Sequence, residues 1–219
     1  MRHLRTLAAL ALGGSLLATA GCNLIPRGDP LPPPLPPVMM APVAPAYIQG
    51  DLIGGRAARV RKARAAGRKL LAAGAVADYV DRQEIDLRRQ TAGTGVDVLR
   101  SGELLLLRLP ATGTFDVGQS AIRPQALSTL AEIGLTLKRF DQTLVDVLGH
   151  SDSTGTPASN IRLSQRRADA VAAQLRARGV VAGRIGTKGY AAAYPIADNA
   201  SESGRTLNRR VEIKLVPLR

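Results

Sequence analysis

Near the C-terminus, Val211, Ile213 and Leu215 alternate with Arg210, Glu212 and Lys214. That period of two predicts a strand with one buried face and one wet face. The same alternation runs through residues 96–100 and 103–109, and predicts a β-hairpin turning at 101–102. Residues 143–149 and 184–190 read as two further strands. Elsewhere the spacing changes to three and four. Leu127, Leu130, Gly134 and Leu137, following Pro124, predict one helix, and residues 160–178 a second. Residues 70–89 predict another, with Leu71, Val76, Tyr79, Val80 and Ile85 as its apolar members. Strands with one apolar face and helices to cover it make a two-layer α+β domain.

The first fifty residues follow neither period. Arg2 and Arg5 precede an apolar run from Leu7 to Ala20, with small residues up to Gly21, the pattern of an export signal over residues 1–21. Cys22 follows at once, and Thr19-Ala20-Gly21-Cys22 resembles the lipobox of bacterial lipoproteins, in which the Cys becomes the acylated first residue. Asn23 resembles the sorting pattern for the outer membrane, so the expected location is lipid-anchored there, facing the periplasm. Several acyl chains, at about 0.8 kcal/mol per buried methylene, would make such an anchor stable. Nine of the fourteen prolines lie between Pro26 and Pro45. They favour polyproline II, and at about 3.1 Å per residue the stretch 30–45 reaches roughly 50 Å. The expected organisation is a signal over 1–21, a lipidated Cys and Pro-rich linker over 22–50, a basic helical segment over 51–92 and a compact domain over 93–219.

Charge sharpens this division. The chain has 30 Lys and Arg against 17 Asp and Glu, a net +13. Arg56, Arg59, Arg61, Lys62, Arg64, Arg68 and Lys69 fall together with no acid among them, so the excess is largely local. Without stacking aromatics in an exported chain, nucleic acid is not an expected partner. Anionic lipid, the wall polymer or an envelope protein would suit the run, and a solvated helical face is the plainer reading.

Candidate chemistry concentrates around Asp152. It stands in a polar loop, residues 149–155, that leaves the end of an apolar strand, where ligands are commonly carried. Asn160 and Arg167 are seven residues apart, about 20° around a helix, so they share a face. Arg167 flanks the apolar stripe of Ala168, Val171, Ala172 and Leu175, whereas Arg166 points to water. A guanidinium takes a carboxylate through two parallel bonds and a carboxylate accepts from an ammonium, so Arg167 and Asp152 together suit a zwitterionic amino acid. The plainer alternative is a surface ion pair between them, worth about 0–1 kcal/mol. His150, Ser151, Asp152 and Ser153 are hydrolase residue types, but the second glycine of G-x-S-x-G is missing and the only other histidine is His3. No catalytic residue, metal ligand or cofactor is assigned. One cysteine also excludes an intramolecular disulfide.

Four ordered motifs carry a specific resemblance: Thr114-Phe115-Asp116, the loop Gly149-His150-Ser151-Asp152-Ser153-Thr154-Gly155, the helix from Asn160 through Arg167 to Val171, and Asn208-Arg209-Arg210-Val211. Together they resemble the OmpA-like peptidoglycan-binding domain, in the lipoprotein branch of that family. The resemblance implies a mixed β-sheet with helices packed on one face. It also implies non-enzymatic anchoring of the outer membrane to peptidoglycan, by non-covalent binding of the diaminopimelate of the stem peptide. Asp152, Asn160, Arg167 and Arg209 fall at the family's ligand positions. Gly118 departs from the polar residue often found there, and Ser151 from a common Thr. An alternative expectation is an envelope regulator whose basic segment, 56–69, engages a membrane-protein partner.

Overall fold

A computed structural model of the chain describes residues 52–219. The expected signal, Cys22 and the Pro-rich linker lie outside the described residues. The alternating segments pair as a hairpin of β1 (Asp97–Ser101) and β2 (Leu104–Pro110). Ser101 stands opposite Leu104, so the loop is Gly102-Glu103, one residue later than the sequence pattern suggests. Gly102 takes a φ of 59°, which a two-residue turn accommodates with glycine in its first position. Three more strands, β3 (Thr143–Gly149), β4 (Ile185–Gly189) and β5 (Arg210–Pro217), complete a sheet of order β1-β2-β5-β3-β4. β5 is antiparallel to both β2 and β3, while β3 and β4 are parallel, so the sheet is mixed.

The helices are α1 (Arg56–Ala65), α2 (Val76–Thr91), the single turn α3 (Ala111–Thr114), α4 (Pro124–Arg139), α5 (Pro157–Ala177) and α6 (Glu202–Asn208). Pro at N1 starts α4 and α5, and Thr156 caps α5 by accepting from the Ser159 N–H at 3.2 Å. α2, α4 and α5 cover one face of the sheet, where Val80, Leu87, Leu130, Ile133, Val171 and Leu175 meet Leu107, Val147 and Ile213. Each such side chain contributes about 1.5–3 kcal/mol when fully buried. Two sequence expectations change here. Ile85 and Leu127 are exposed, and the seam instead takes Leu87 and Ile133. Because α2 supplies Val76, Val80 and Leu87 to this core, the folded unit reaches well before residue 93.

The second face is not wet. Arg210, Glu212 and Lys214 are buried, together with Arg108, Asp146 and His150. They are tolerable there because they are paired. Glu212 accepts from Arg210 Nε at 2.8 Å and from Arg108 Nε at 3.3 Å, and His150 Nε2 lies 3.5 Å from its other oxygen. Burial alone would raise the Glu212 carboxyl, but His150 and Arg210 hold it far below the ordinary carboxylate range. At the other end of this face, Asp146 accepts from Arg59 Nη1 at 2.8 Å and from the Ile53 N–H at 3.0 Å. Ala63 of α1 packs nearby with Leu144, Val216 and Leu218. The basic segment is therefore fastened to the sheet by one of its own cations. A buried carboxylate robbed of such a partner typically costs about 3–5 kcal/mol.

α5 sits unusually close to the sheet. A Cβ at Gly149 would lie 2.0 Å from the Ser164 carbonyl oxygen, and one at Gly189 would lie 2.4 Å from the Gln165 nitrogen. Both contacts are to helix backbone, which cannot step aside as a side chain can. Gly149→Ala should therefore destabilise the protein by about 1–3 kcal/mol or more. Gly74→Ala, where a Cβ meets nothing within 4 Å, should change stability little. Denaturant titration of the two variants checks this; equal midpoints would contradict it.

Candidate ligand-binding site

At the C-terminal end of β3 the chain turns into the loop that holds Asp152, and β5 begins beside it. The Arg210 carbonyl accepts from the His150 N–H at 2.9 Å, and the Arg209 carbonyl accepts from the Ala111 N–H at 3.0 Å. Two successive residues thus pin both loops that border the site. Their side chains alternate, as in any extended segment. Arg209 points toward Asp152, whereas Arg210 points into the buried charges of the second face.

Asp152 is held from several sides. Its Oδ1 accepts from the Thr154 N–H at 2.9 Å and from the Thr154 hydroxyl at 2.5 Å, and its Oδ2 accepts from Arg209 Nη1 at 2.7 Å. Burial alone would raise the carboxyl, but these hydrogen bonds from Thr154 and Arg209 prevail and hold it below its ordinary value. Asn160 braces the same loop, donating through Nδ2 to the Thr154 carbonyl at 2.7 Å and, at 3.4 Å, to that of Asp152. Its amide nitrogen therefore serves the loop.

Arg167 does not pair with Asp152. Its Nε donates to the Gln119 carbonyl at 2.9 Å and its Nη2 to the Asp116 carbonyl at 3.4 Å, while the guanidinium carbon lies 5.0 Å from the centre of the Phe115 ring. Nη1 donates to no protein acceptor among the described residues. The side chain is buried, and burial, together with the Arg209 charge, lowers its pKa, yet a guanidinium stays protonated at neutral pH. A cation fixed on three sides with one free donor pair differs from a solvated surface arginine.

These residues meet around one cavity of about 380 Å³ whose walls include Phe115, Asp116, Asp152, Asn160, Arg167 and Arg209. All four sequence-predicted domain residues thus line one space, while Cys22 lies outside the described residues. Gly118 also lines it, at a φ of 69° that a larger residue would adopt only under strain. Asn208 is elsewhere: it is buried and ties down the loop before α6, accepting from the Ile196 and Ala197 N–H groups at 2.8 and 3.1 Å.

Glu202 was not singled out by the sequence. It accepts from Arg209 Nη2 at 2.6 Å, and the Thr206 hydroxyl accepts from the same nitrogen at 2.6 Å; with Asp152 on Nη1, Arg209 is shared between two acids, Asp152 and Glu202. Spacings of seven and three residues before Arg209 were the available signal, since both fall on the Arg209 side of a helix. The loop after β4 ties α5 to the Asp152 loop from behind, with Ala191 at a φ of 49°; its N–H donates to the Ser164 hydroxyl at 3.1 Å, and its carbonyl accepts from the Ser151 N–H at 2.9 Å. Among the described residues, no cluster of three or more His, Cys, Asp or Glu side chains could hold a metal ion.

The chain is similar in sequence and in fold to known proteins. Residues 114–209 match the OmpA family. The chain is 46% identical over 145 residues to the probable lipoprotein YiaD of Escherichia coli, an alignment that spans 66% of each protein. It is 40% identical over 96 residues to the outer-membrane lipoprotein YfiB of Pseudomonas aeruginosa, covering 44% of this chain and 56% of that one. The chain thus spans just under two thirds of the first relative and little over half of the second. The solved structure of the cell wall anchor of the T6SS from Pseudomonas aeruginosa superposes with a TM-score of 0.53 at 31% identity, covering 65% of this chain and 96% of that one. With its mixed sheet, its ordered motifs and these relatives, this chain carries an OmpA family domain.

Proposed function

We propose that the protein is a non-enzymatic, lipid-anchored component of the outer membrane that binds peptidoglycan through this cavity. The ligand is the free end of the diaminopimelate side chain in the stem peptide, which carries an ammonium and a carboxylate on one carbon. The observation that carries this reading is a single cavity lined by a fixed carboxylate, Asp152, and by a buried guanidinium, Arg167, whose Nη1 is unspent. Asp152 accepts from the ammonium and Arg167 Nη1 donates to the carboxylate, both as charge-assisted bonds. Arg209 orients Asp152, and Asn160 holds the loop in place. A cell wall anchor among the structural relatives and lipoproteins among the sequence relatives support the same reading. Cys22 is the proposed site of acylation.

Co-sedimentation with purified sacculi tests the assignment. With each charge-assisted bond worth about 1.5–3 kcal/mol, Asp152→Ala and Arg167→Ala should each weaken binding by roughly ten- to a hundredfold. Arg167→Lys, which keeps the charge but loses the fork, should also bind poorly. Binding equal to the parent in all three folded variants would refute the site.

Binding should also resist mild acid. The Asp152 carboxyl titrates below its ordinary value, so it stays ionised as pH falls from neutral to about 5, and the ammonium acceptor disappears only when pH passes through that lowered value. Sacculi binding measured across this range should be flat; a loss centred near pH 6 would show that another group governs recognition.

A further inference from the structure

The cations of the segment 56–69 divide into two sets. Arg59 turns inward to Asp146, Arg68 pairs with Asp141, and Arg56 donates to the Pro217 carbonyl at 3.4 Å. Arg61, Lys62, Arg64 and Lys69 are exposed and have no acidic partner among the described residues. On α1 the buried Arg59 and Ala63 mark one side, and at about 100° per residue Arg61 and Arg64 fall on the opposite side with Lys62 at its edge. The outward side of α1 otherwise carries alanines, Ala57, Ala58 and Ala65, without a large apolar or aromatic side chain.

The place of this face in the fold matters as much as its charge. α1 is held at the far end of α5 from the ligand site: Arg59 Nη2 donates to the carbonyl of Arg184, in the 3₁₀ turn Ala182–Arg184 that follows α5, and Gly183 lies against the backbone of Lys62. Asn160 is the fourth and Arg167 the eleventh of the 21 residues of α5, so at about 1.5 Å per residue they lie roughly 26 and 15 Å along the axis from its C-terminal end. The domain has a ligand pole and a basic pole.

We infer that the basic pole is a docking surface for anionic phospholipid headgroups, formed by Arg61, Lys62 and Arg64 of α1 with Lys69 just beyond it. Long cations on a convex face, not fixed by partners, match a diffuse layer of negative charge rather than one shaped ligand. On α1 these cations stand among alanines, so their contact is electrostatic adsorption; the nearby exposed large apolar side chain is Leu70, beside Lys69. Missing aromatics disfavour single-stranded nucleic acid, which needs stacking platforms. Leu52 and α1, the first described residues, join the fold at this pole. Adsorption at this pole is independent of which ligand fills the cavity.

The test uses the mature polypeptide with Cys22→Ser, which has no acyl group, and vesicles of phosphatidylglycerol with phosphatidylethanolamine. Each cation near such a surface contributes about 1 kcal/mol, so the triple variant Arg61→Gln, Lys62→Gln, Arg64→Gln should bind these vesicles roughly a hundredfold more weakly than the parent. Raising the salt should weaken the parent similarly, and phosphatidylcholine vesicles should not bind it. The triple variant should keep its circular dichroism and its sacculi binding, and Arg167→Ala should keep its vesicle binding. Equal vesicle binding by parent and triple variant, no binding of anionic vesicles by the parent, or loss of sacculi binding in the folded triple variant would each overturn the inference.

Discussion

The seating of α5 on the sheet is the contact on which the site depends. Helix and strand backbones touch at Gly149 and Gly189 because neither residue carries a Cβ. Any side chain there would lift the helix, and with it Asn160 and Arg167, away from the loop that holds Asp152. The second fixed element is the start of β5. Its paired register with β3 sets Val211 opposite Gly149, so the two preceding residues lie beside the loop, and their carbonyls secure both it and the segment at Ala111. Helix, loop and strand are thus referred to the same few backbone atoms, which holds a binding geometry rigid.

Much of this was legible in the sequence. The four motifs define the domain, and their spacing brings Asn160 and Arg167 to one side of a helix and separates Arg209 from Arg210. The division of labour within the cavity was not legible. Arg167 and Asp152 suggest a pair, yet the acid is engaged by Arg209 while Arg167 is fixed by the carbonyls of Asp116 and Gln119 over Phe115. Those acceptors are backbone atoms, and a backbone carbonyl leaves no mark in the residue type.

Alternation misled where it is normally most reliable. Arg210, Glu212 and Lys214 obey the period of a half-exposed strand, but their charges meet partners on β2, β3 and the residues that follow β3. A period of two identifies which residues share a face and is silent on whether that face meets water. The basic run shows the same limit. Composition makes it a uniform cationic segment, whereas the structure turns Arg59 into a buried clamp and leaves Arg61, Lys62 and Arg64 outside. Packing decides which cations are spent on the fold and which remain available.

The account rests on simultaneous recognition of an amine and a carboxylate in one cavity. Calorimetric titration with a stem peptide whose diaminopimelate end is free, against the same peptide with that carboxylate amidated and against its lysine counterpart, tests this directly. Tight binding of the free form and roughly tenfold or greater loss with both others is the predicted result, since Arg167 would lose its charged acceptor. Equal affinity for all three would mean that Arg167 does not read the carboxylate, and would contradict the account.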